Sequence, residues 1–373
     1  MKKANYYCSL LFIVLLVFPA ISEAQLTSLP SGGNKKAMVG ERVGITDITI
    51  EYSRPGVKGR EGQIWGNLIP AGFNNLGFGS AKESPWRAGA NENTTIQFST
   101  DVKIEGKDLP AGKYGFFIVY SPDQCTLIFS KNSSSWGSYF YDPSEDALRV
   151  SVKPVALDKS LERMKFEFTD ESENSAVILL EWEKLMIPFK VEVDYIKTQL
   201  ASFRMELRGE RGFIWESWNQ AAQWCVDQST NLNEALLWAD SSTSIDFGGD
   251  QSFQSWSTKA QVLDKLGKSG ESAAAIKKAL PLGNEFQLHQ YARKLLTAKK
   301  YPEAFEVCKM NYDKHPGDFI TNLGMARAYS GLGNYKKALE FAKKAEPLAT
   351  DPANKVNVQK MIKTLEEGKD INS

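Results

Sequence analysis

The sequence predicts a β + α multidomain protein, in which an antiparallel β-sandwich is followed by an α-helical solenoid. The chain has 373 residues, which is more than one small domain needs. Apolar residues alternate with polar ones over residues 45–193, and from residue 194 onward they recur every three or four positions. Ordinary hydrophobic (42%) and charged (24%) fractions exclude a wholly disordered, collagen-like or multispanning chain.

The first element is a secretory signal peptide, predicted over residues 1–24. Two lysines precede an unbroken apolar run at residues 10–18, and the small residues Ser22 and Ala24 follow at the spacing that a signal peptidase requires. The alternative is a retained membrane anchor, but the run is too short to span a bilayer as a helix. We therefore expect an exported protein, periplasmic or extracellular after cleavage, with no transmembrane span in the mature chain.

A β-sandwich is predicted over residues 35–193. Short stretches with strand-like alternation or apolar runs are divided by turn sequences such as Gly-Lys-Asp and Pro-Ala-Gly. The apolar positions of these stretches include Ile48, Ile50, Tyr52, Ile96, Phe98, Phe116, Ile118, Leu127, Phe129, Met164, Phe166, Ile178 and Phe189. No helical stretch lies between them, so a parallel βαβ sheet is excluded and an antiparallel sandwich or barrel remains.

Helical repeats are predicted over residues 196–373. Similar short segments end at Ala235, Ala273, Ala304 and Ala338, and the last unit carries the fullest pattern, with Leu323-Gly324, Ala328-Tyr329, Leu332-Gly333, Tyr335 and Pro347. This pattern resembles the tetratricopeptide repeat, a helix–turn–helix unit of about 34 residues. The predicted units are residues 213–245, 252–281, 285–316 and 319–350. The resemblance implies a tetratricopeptide-like solenoid with a concave groove for a protein or peptide partner; the alternative is an irregular helical bundle.

Three unusual segments mark the first half of the chain. Their sequences are Arg-Pro-Gly-Val-Lys-Gly-Arg at residues 54–60, Trp-Arg-Ala-Gly-Ala-Asn-Glu at residues 86–92 and Leu-Pro-Ala-Gly-Lys-Tyr at residues 109–114. In this order and spacing they resemble the secreted bacterial family catalogued as domain of unknown function 2911, over about residues 35–193. Residues 74–85 depart from the family pattern by lengthening one loop. The resemblance implies a fold and an exported location, but no established reaction.

The same segments supply a candidate ligand-binding pocket on the β domain. The candidate residues are cationic, amide, carboxylate or aromatic, namely Arg54, Lys58, Arg60, Trp86, Arg87, Asn91 and Glu92. Arginine forks suit carboxylate or phosphate groups, and Trp65, Trp86 and Tyr114 could supply aromatic walls. We expect a small anionic molecule or a glycan as ligand. In the alternative interpretation, Arg54, Arg87 and Glu92 pair with one another and only hold the loops in place.

Recognisable catalytic machinery is not predicted. The two histidines, His289 and His315, lie in the helical half, which excludes a Ser-His-Asp or Cys-His site confined to the β domain. No nucleophile elbow, phosphate loop or Cys-x-x-Cys is present, and neither a metal nor a cofactor is predicted. The sequence leaves enzymatic activity open but favours a non-catalytic binding or scaffold protein. The alternative is a carbohydrate-active hydrolase that uses carboxylates near Glu92.

The charge distribution bears on the expected partners, and the cysteine content bears on disulfide bonding. Residues 251–373 carry 20 basic and 13 acidic side chains, whereas residues 25–250 carry 23 basic and 31 acidic ones. The basic residues are spread along helices, so a nucleic-acid partner is not expected. Cys125, Cys225 and Cys308 remain after signal cleavage. This odd number argues against a disulfide framework, although a Cys225–Cys308 bridge is compatible with an oxidising compartment.

Overall fold

The computed structural model describes residues 33–372, so the predicted signal peptide lies outside the described part. The chain divides into two compact units, the first ending at Thr198 and the second beginning at Gln199. Within residues 33–372, ten strands precede ten α-helices, which confirms the predicted fold class. The strands are β1 Lys35–Val43, β2 Thr46–Arg54, β3 Thr94–Phe98, β4 Val102–Ile104, β5 Lys107–Leu109, β6 Gly112–Val119, β7 Cys125–Ser130, β8 Asp146–Val152, β9 Val155–Thr169 and β10 Ser175–Glu192.

The strands form two antiparallel sheets. Six strands pair in the order β1-β2-β3-β6-β7-β8, and four pair in the order β5-β4-β10-β9. Strands β2 and β3 are hydrogen-bonded neighbours, with Ile50 opposite Ile96, although residues 55–93 separate them along the chain. This long connection carries most of the candidate pocket residues.

One hydrophobic core lies between the two sheets. Phe189 of the four-stranded sheet is 1% exposed, and its ring centroid lies 5.5 Å from that of Phe116 and 6.3 Å from that of Phe129, both on the six-stranded sheet. Tyr52 reaches across in the same way and contacts Phe166 edge to face at 4.8 Å. These contacts join the sheets face to face, as in a sandwich.

Two details of the β unit differ from the sequence expectation. Strand β1 was not predicted, because it is an exposed edge strand whose side chains are mostly in contact with solvent and lack hydrophobic alternation. The apolar runs at residues 177–180 and 189–193 were expected as separate strands, yet both lie in or at the end of β10. Register shifts flank Glu183, whose φ of 53° provides a bulge, and the bulge bends the strand without ending it.

The helices form consecutive pairs at the four predicted repeat positions. The helix α1 begins in the first unit and ends in the second, and α10 follows the last pair. Their bounds are α1 Tyr195–Glu206, α2 Trp215–Asp227, α3 Leu232–Ser242, α4 Phe253–Lys265, α5 Ser269–Ala279, α6 Glu285–Thr297, α7 Tyr301–Lys314, α8 Phe319–Gly331, α9 Tyr335–Ala345 and α10 Pro352–Glu366.

Small residues allow close packing within these pairs. Ala235, Ala304 and Ala338 are completely buried, as the repeat pattern predicted. Ala273, which ends the corresponding segment of the second unit, is exposed. Its neighbour Ser272 faces the paired helix and donates a hydrogen bond of 2.9 Å to the carbonyl oxygen of Ala260. A hydroxyl therefore replaces the methyl group at this contact.

The three cysteines Cys125, Cys225 and Cys308 are buried free thiols, so the bridge considered between Cys225 and Cys308 is not formed. Burial raises the pKa of the Cys308 thiol to about 12 and that of Cys225 to about 11. Both thiols therefore stay protonated at neutral pH and act as small apolar side chains.

The shared β core predicts the effect of a large-to-small substitution at its centre. We expect Phe189→Ala to lower the free energy of unfolding by about 3–5 kcal/mol, since it removes a ring that contacts both sheets. The matched control is Phe140→Ala, whose ring is 58% exposed and should change stability by less than about 0.5 kcal/mol. Urea unfolding followed by circular dichroism measures both. Equal midpoints for the two variants would contradict the shared core.

Two glycines of α8 provide a test of helix packing in the second unit. A Cβ atom added at Gly331 would lie 2.5 Å from Cδ1 of Tyr301, whereas one added at Gly324 would meet Cys308 Sγ at 3.5 Å, an ordinary contact. We expect Gly331→Ala to cost about 1–3 kcal/mol of stability through overpacking. Gly324→Ala should be neutral or stabilise by up to about 1 kcal/mol through helix propensity. Thermal unfolding measures the stability of both variants. If Gly324→Ala were less stable than Gly331→Ala, the described packing of α8 against α7 would be contradicted.

Candidate functional site

The connection at residues 55–93 is held on the β unit by backbone hydrogen bonds at both ends. Near its start, the Val57 amide donates to the Glu162 carbonyl oxygen at 2.8 Å, which ties the segment to β9. Near the end of the connection, Trp86 and Ile118 exchange two backbone hydrogen bonds of 2.8 Å each. Trp86 therefore pairs with the part of β6 that lies past the first residue of β3. The connection is therefore part of the sheet architecture, and its side chains have defined positions.

Five of the seven candidate residues line one cavity of about 520 Å³, which we call the cationic cavity. They are Lys58, Arg60, Trp86, Arg87 and Asn91. The other wall residues that the structure describes are polar or apolar and none is Asp or Glu; they include Asn34, Leu68, Ile69, Asn74, Leu76, Ser84, Ser138 and Trp182. The structure thus brings together most of the predicted site, although Arg54 and Glu92 lie outside it.

The three cations of this cavity form no ion pair with any residue in the range 33–372. Arg60 donates hydrogen bonds to the carbonyl oxygens of Val57 (Nε, 2.9 Å) and Gly56 (Nη2, 2.8 Å). Arg87 Nη1 donates to the Asn91 carbonyl oxygen at 2.7 Å, and the guanidinium lies 5.3 Å from the ring centroid of Tyr139. Neutral oxygens and an aromatic face position these guanidinium groups, and the nearby Glu162 carboxylate accepts from the Lys58 backbone amide at 3.2 Å.

An indole cluster stands behind the cationic cavity. The rings of Trp86 and Trp182 are stacked at 6.1 Å with an angle of 21° between planes, and Trp65 contacts both of them edge to face. Trp86 and Trp182 line the cavity, whereas Trp65 stands behind them and donates from Nε1 to the Trp182 carbonyl oxygen. Sequence reasoning missed Trp182, because a tryptophan on a long strand gives no sign of which cavity it adjoins.

The expected aromatic wall at Tyr114 was wrong. Its hydroxyl donates to the Pro110 carbonyl oxygen at 2.7 Å, and its ring packs among core phenylalanines, 6.5 Å from Phe98 and from Phe129. Because β6 alternates its side chains between two faces, Tyr114 points into the sandwich and cannot reach the loops.

Arg54 and Glu92 also depart from the expected pocket. Arg54 Nε donates to the Met164 carbonyl oxygen at 2.8 Å and so ties β2 to β9. Glu92 forms an ion pair of 3.0 Å with Lys36 and accepts a hydrogen bond of 3.4 Å from Ser53 Oγ. The alternative in which Arg54, Arg87 and Glu92 pair with one another was therefore wrong, because each has a separate partner from a different strand or loop.

Glu92 instead lines a second cavity of about 640 Å³, which we call the Trp136 cavity. It lies on the outer face of the six-stranded sheet, and its walls include Lys36, Glu51, Glu92, Asn93 and Trp136. Burial alone would raise the pKa of the Glu92 carboxyl, but hydrogen bonds from its own backbone amide, Lys36 and Ser53 outweigh burial and lower it.

The conformation of Asn91 helps to separate the two cavities. Its φ of 60° is left-handed, which turns the chain between Asn91 and Glu92. Asn91 lines the cationic cavity, and the next two residues, Glu92 and Asn93, line the Trp136 cavity. One short segment is thus a wall shared by two sites of different charge.

The helical unit has a smaller cavity of about 340 Å³, which we call the amide groove. The first helices of three successive pairs line it with amide and hydroxyl side chains, which include Gln223, Gln254, Ser257, Thr258, Gln261, Gln287 and Gln290. Gln223 Oε1 accepts from Thr258 Oγ1 at 3.1 Å and from Gln261 Nε2 at 3.5 Å. Phe286, 60% exposed, lies at the same groove, and Lys294 adds one positive charge.

Two features are absent from residues 33–372, a cluster of metal-binding side chains and a membrane-spanning helix. Nowhere in this range do three or more His, Cys, Asp or Glu side chains come together in a way that could hold a metal ion. No helix in the same range has the length and hydrophobicity needed to cross a bilayer. Burial, with Arg293 and Arg327 nearby, lowers the pKa of His289 to about 4, so this imidazole is neutral at pH 7.

Solved helical-repeat structures are similar to part of the chain. YrrB, described as a TPR protein with an unusual peptide-binding site, is 14% identical with a TM-score of 0.30, covering 44% of this chain and 84% of that chain. MamA from residue 41 onward, of Desulfovibrio magneticus RS-1, is 20% identical with a TM-score of 0.29 and coverages of 43% and 92%. PilF of Pseudomonas aeruginosa is 16% identical with a TM-score of 0.31, covering 43% of this chain and 72% of that chain.

Comparison with curated proteins gave no match. A family model does match the β unit, over a range that begins just before β1 and includes all but the last residue of β10. The three motifs that suggested this family all fall inside the matched range. Residues 34–191 match the family described as protein of unknown function (DUF2911), which confirms the resemblance inferred from the sequence.

Proposed function

We propose that this is a non-catalytic binding protein whose β unit holds a small anionic molecule in the cationic cavity. One observation carries the proposal: Lys58, Arg60 and Arg87 line a single cavity to whose walls no Asp or Glu from residues 33–372 contributes. Because none of the three forms an ion pair within residues 33–372, their charge remains available to a ligand.

The chemistry of the cavity favours a carboxylate- or phosphate-bearing ligand. A guanidinium presents parallel N–H donors that match two oxygens of such a group, and charge-assisted hydrogen bonds of this kind are about twice as strong as neutral ones. The partly exposed Trp86 ring, which stacks on the buried Trp182 ring, offers an apolar surface for the rest of the molecule. A volume of about 520 Å³ suits a small metabolite, since ligand pockets measure roughly 300–1,000 Å³.

The helical unit would hold a protein or peptide in the amide groove. Gln223, Gln261 and Gln287 already form hydrogen bonds within the helical unit. Gln254 and Gln290 would donate to and accept from the main chain of an extended peptide whatever its sequence. The exposed ring of Phe286 would add one apolar contact. The predicted signal peptide places both binding activities in the periplasm or outside the cell.

The alternative of a carbohydrate-active hydrolase has one observation in its favour, which is that Glu51 and Glu92 line the same cavity. Each carboxylate is paired with a lysine, however, Glu51 with Lys113 at 3.1 Å and Glu92 with Lys36 at 3.0 Å. The lowered pKa of Glu92 keeps this group ionised at neutral pH, so it could not serve as the general acid. Binding is therefore the better supported function.

Removing cavity cations tests the anion site. We expect Lys58→Gln and Arg87→Gln each to weaken binding of inorganic phosphate, succinate or glucose 6-phosphate by about tenfold, because each removes a charge-assisted contact. Titration calorimetry on the mature chain measures the affinities. The control Lys159→Gln removes the same charge from an exposed residue outside the cavity and should bind as wild type does. Equal affinities for all variants would remove Lys58 and Arg87 from the site.

Substitution of Phe286 tests the amide groove. We expect Phe286→Ser in the full mature chain to reduce the amount of partner captured from an envelope extract by at least about fivefold, since it removes the exposed ring at the groove. The matched control Phe213→Ser changes a ring that is 77% exposed and lies outside the groove. Quantitative mass spectrometry of cross-linked captures compares them. A partner that both variants retain equally would not be bound through the amide groove.

A further inference from the structure

The Trp136 cavity is built on the outer face of the six-stranded sheet. The strand register sets Lys36 opposite Ser53 and Met38 opposite Glu51, and Thr95 continues the same row from β3. Side chains of paired residues project from the same face, so these groups form a mostly polar floor. The loop at residues 133–136 closes one side, where three serines precede the tryptophan.

The loop that carries Trp136 is held in place at three points. The Asn93 amide donates to the Ser135 carbonyl oxygen at 3.2 Å. Gly115 permits a close approach of the loop, because a Cβ atom there would lie 2.3 Å from the carbonyl oxygen of Asn132. Gly137, with φ 68°, packs directly against the Arg87 guanidinium. The backbone on both sides of Trp136 is therefore held against the sheet, while Trp136 itself is 56% exposed to solvent.

The charges of the cavity walls cancel locally. Glu92 pairs with Lys36, and Glu51 pairs with Lys113, and all four residues line the cavity. Such a site offers charged acceptors and donors at fixed positions but little net charge, so it does not select for an ion. It differs in this respect from the cationic cavity on the other side of Asn91.

Asn93 contributes to the same wall. The residue is 6% exposed, and its Nδ2 is buried beside Gly115 without a hydrogen-bond partner among residues 33–372. Because solvent does not reach Nδ2 in this conformation, this nitrogen is not a donor to a ligand in the cavity.

We propose that the Trp136 cavity binds an uncharged sugar. A sugar ring has an apolar C–H face that stacks on an indole and a rim of hydroxyl groups that both donate and accept hydrogen bonds. The cavity presents the complementary set: the Trp136 ring at the edge, the Glu51 and Glu92 carboxylates as acceptors, and the Lys36 and Lys113 ammonium groups as donors. Its volume of about 640 Å³ lies in the range of small-molecule sites, roughly 300–1,000 Å³.

The test uses five neutral hexasaccharides, built of glucose in cellulose and maltose linkage, xylose, mannose and N-acetylglucosamine. Binding to the mature chain is measured by tryptophan fluorescence and by ligand-observed NMR. We expect at least one sugar to bind, Trp136→Ala to weaken it at least tenfold, and Trp136→Phe to retain most of the affinity. Phe140→Ala, which changes another exposed ring outside the cavity, should bind as wild type does.

Two results would overturn the proposal: none of the five sugars binds at millimolar concentration, or folded Trp136→Ala binds as tightly as wild type. Either result would leave the anion-site proposal intact, because Lys58 lines the other cavity. The variant Lys58→Gln should therefore leave sugar affinity unchanged. Loss of phosphate binding with sugar binding intact, or the reverse, would therefore separate the two proposals.

Discussion

The β unit depends on one topological constraint, which is that neighbouring strands β2 and β3 are separated by residues 55–93 along the chain. This connection must leave the sheet and return to it beside its own starting strand. Backbone pairing with β9 and with Ile118 holds it in place, and near its end Trp86 stacks on Trp182 of the four-stranded sheet. The cationic cavity lies along this connection and the Trp136 cavity adjoins its last two residues, so the geometry of both depends on how the connection is held.

The two cavities differ in charge because the carboxylates of the Trp136 cavity pair with lysines, whereas the cations of the cationic cavity form no ion pair within residues 33–372. Glu92 and Glu51 point to the outer face of the sheet, where lysines of β1 and β6 lie within reach. Arg60 and Arg87 lie in the connection itself and are held by carbonyl oxygens of their own loops. Local carbonyl groups position a guanidinium and leave its charge in place, whereas a carboxylate would have cancelled it.

Periodicity predicted the architecture well where one face of an element is buried. The helix pairs match the repeat units, and Ala235, Ala304 and Ala338 are buried as expected. Prediction failed where burial does not shape the sequence. Strand β1 is an exposed edge, Ser272 meets its neighbouring helix through a hydrogen bond rather than a methyl contact, and the bulge at Glu183 lets β10 continue through an interruption in its pattern.

The sequence alone determined that a β-sheet unit precedes a helical unit and that cations concentrate in two loop motifs, because hydrophobic period and residue type are local properties. Only the tertiary structure decided which side chains meet. Glu92 pairs with Lys36, Arg54 binds the Met164 carbonyl group, and Trp182 joins the cavity from a distant strand. These partners lie far apart in sequence, and strand register and chain turns, which motif spacing does not encode, bring them together.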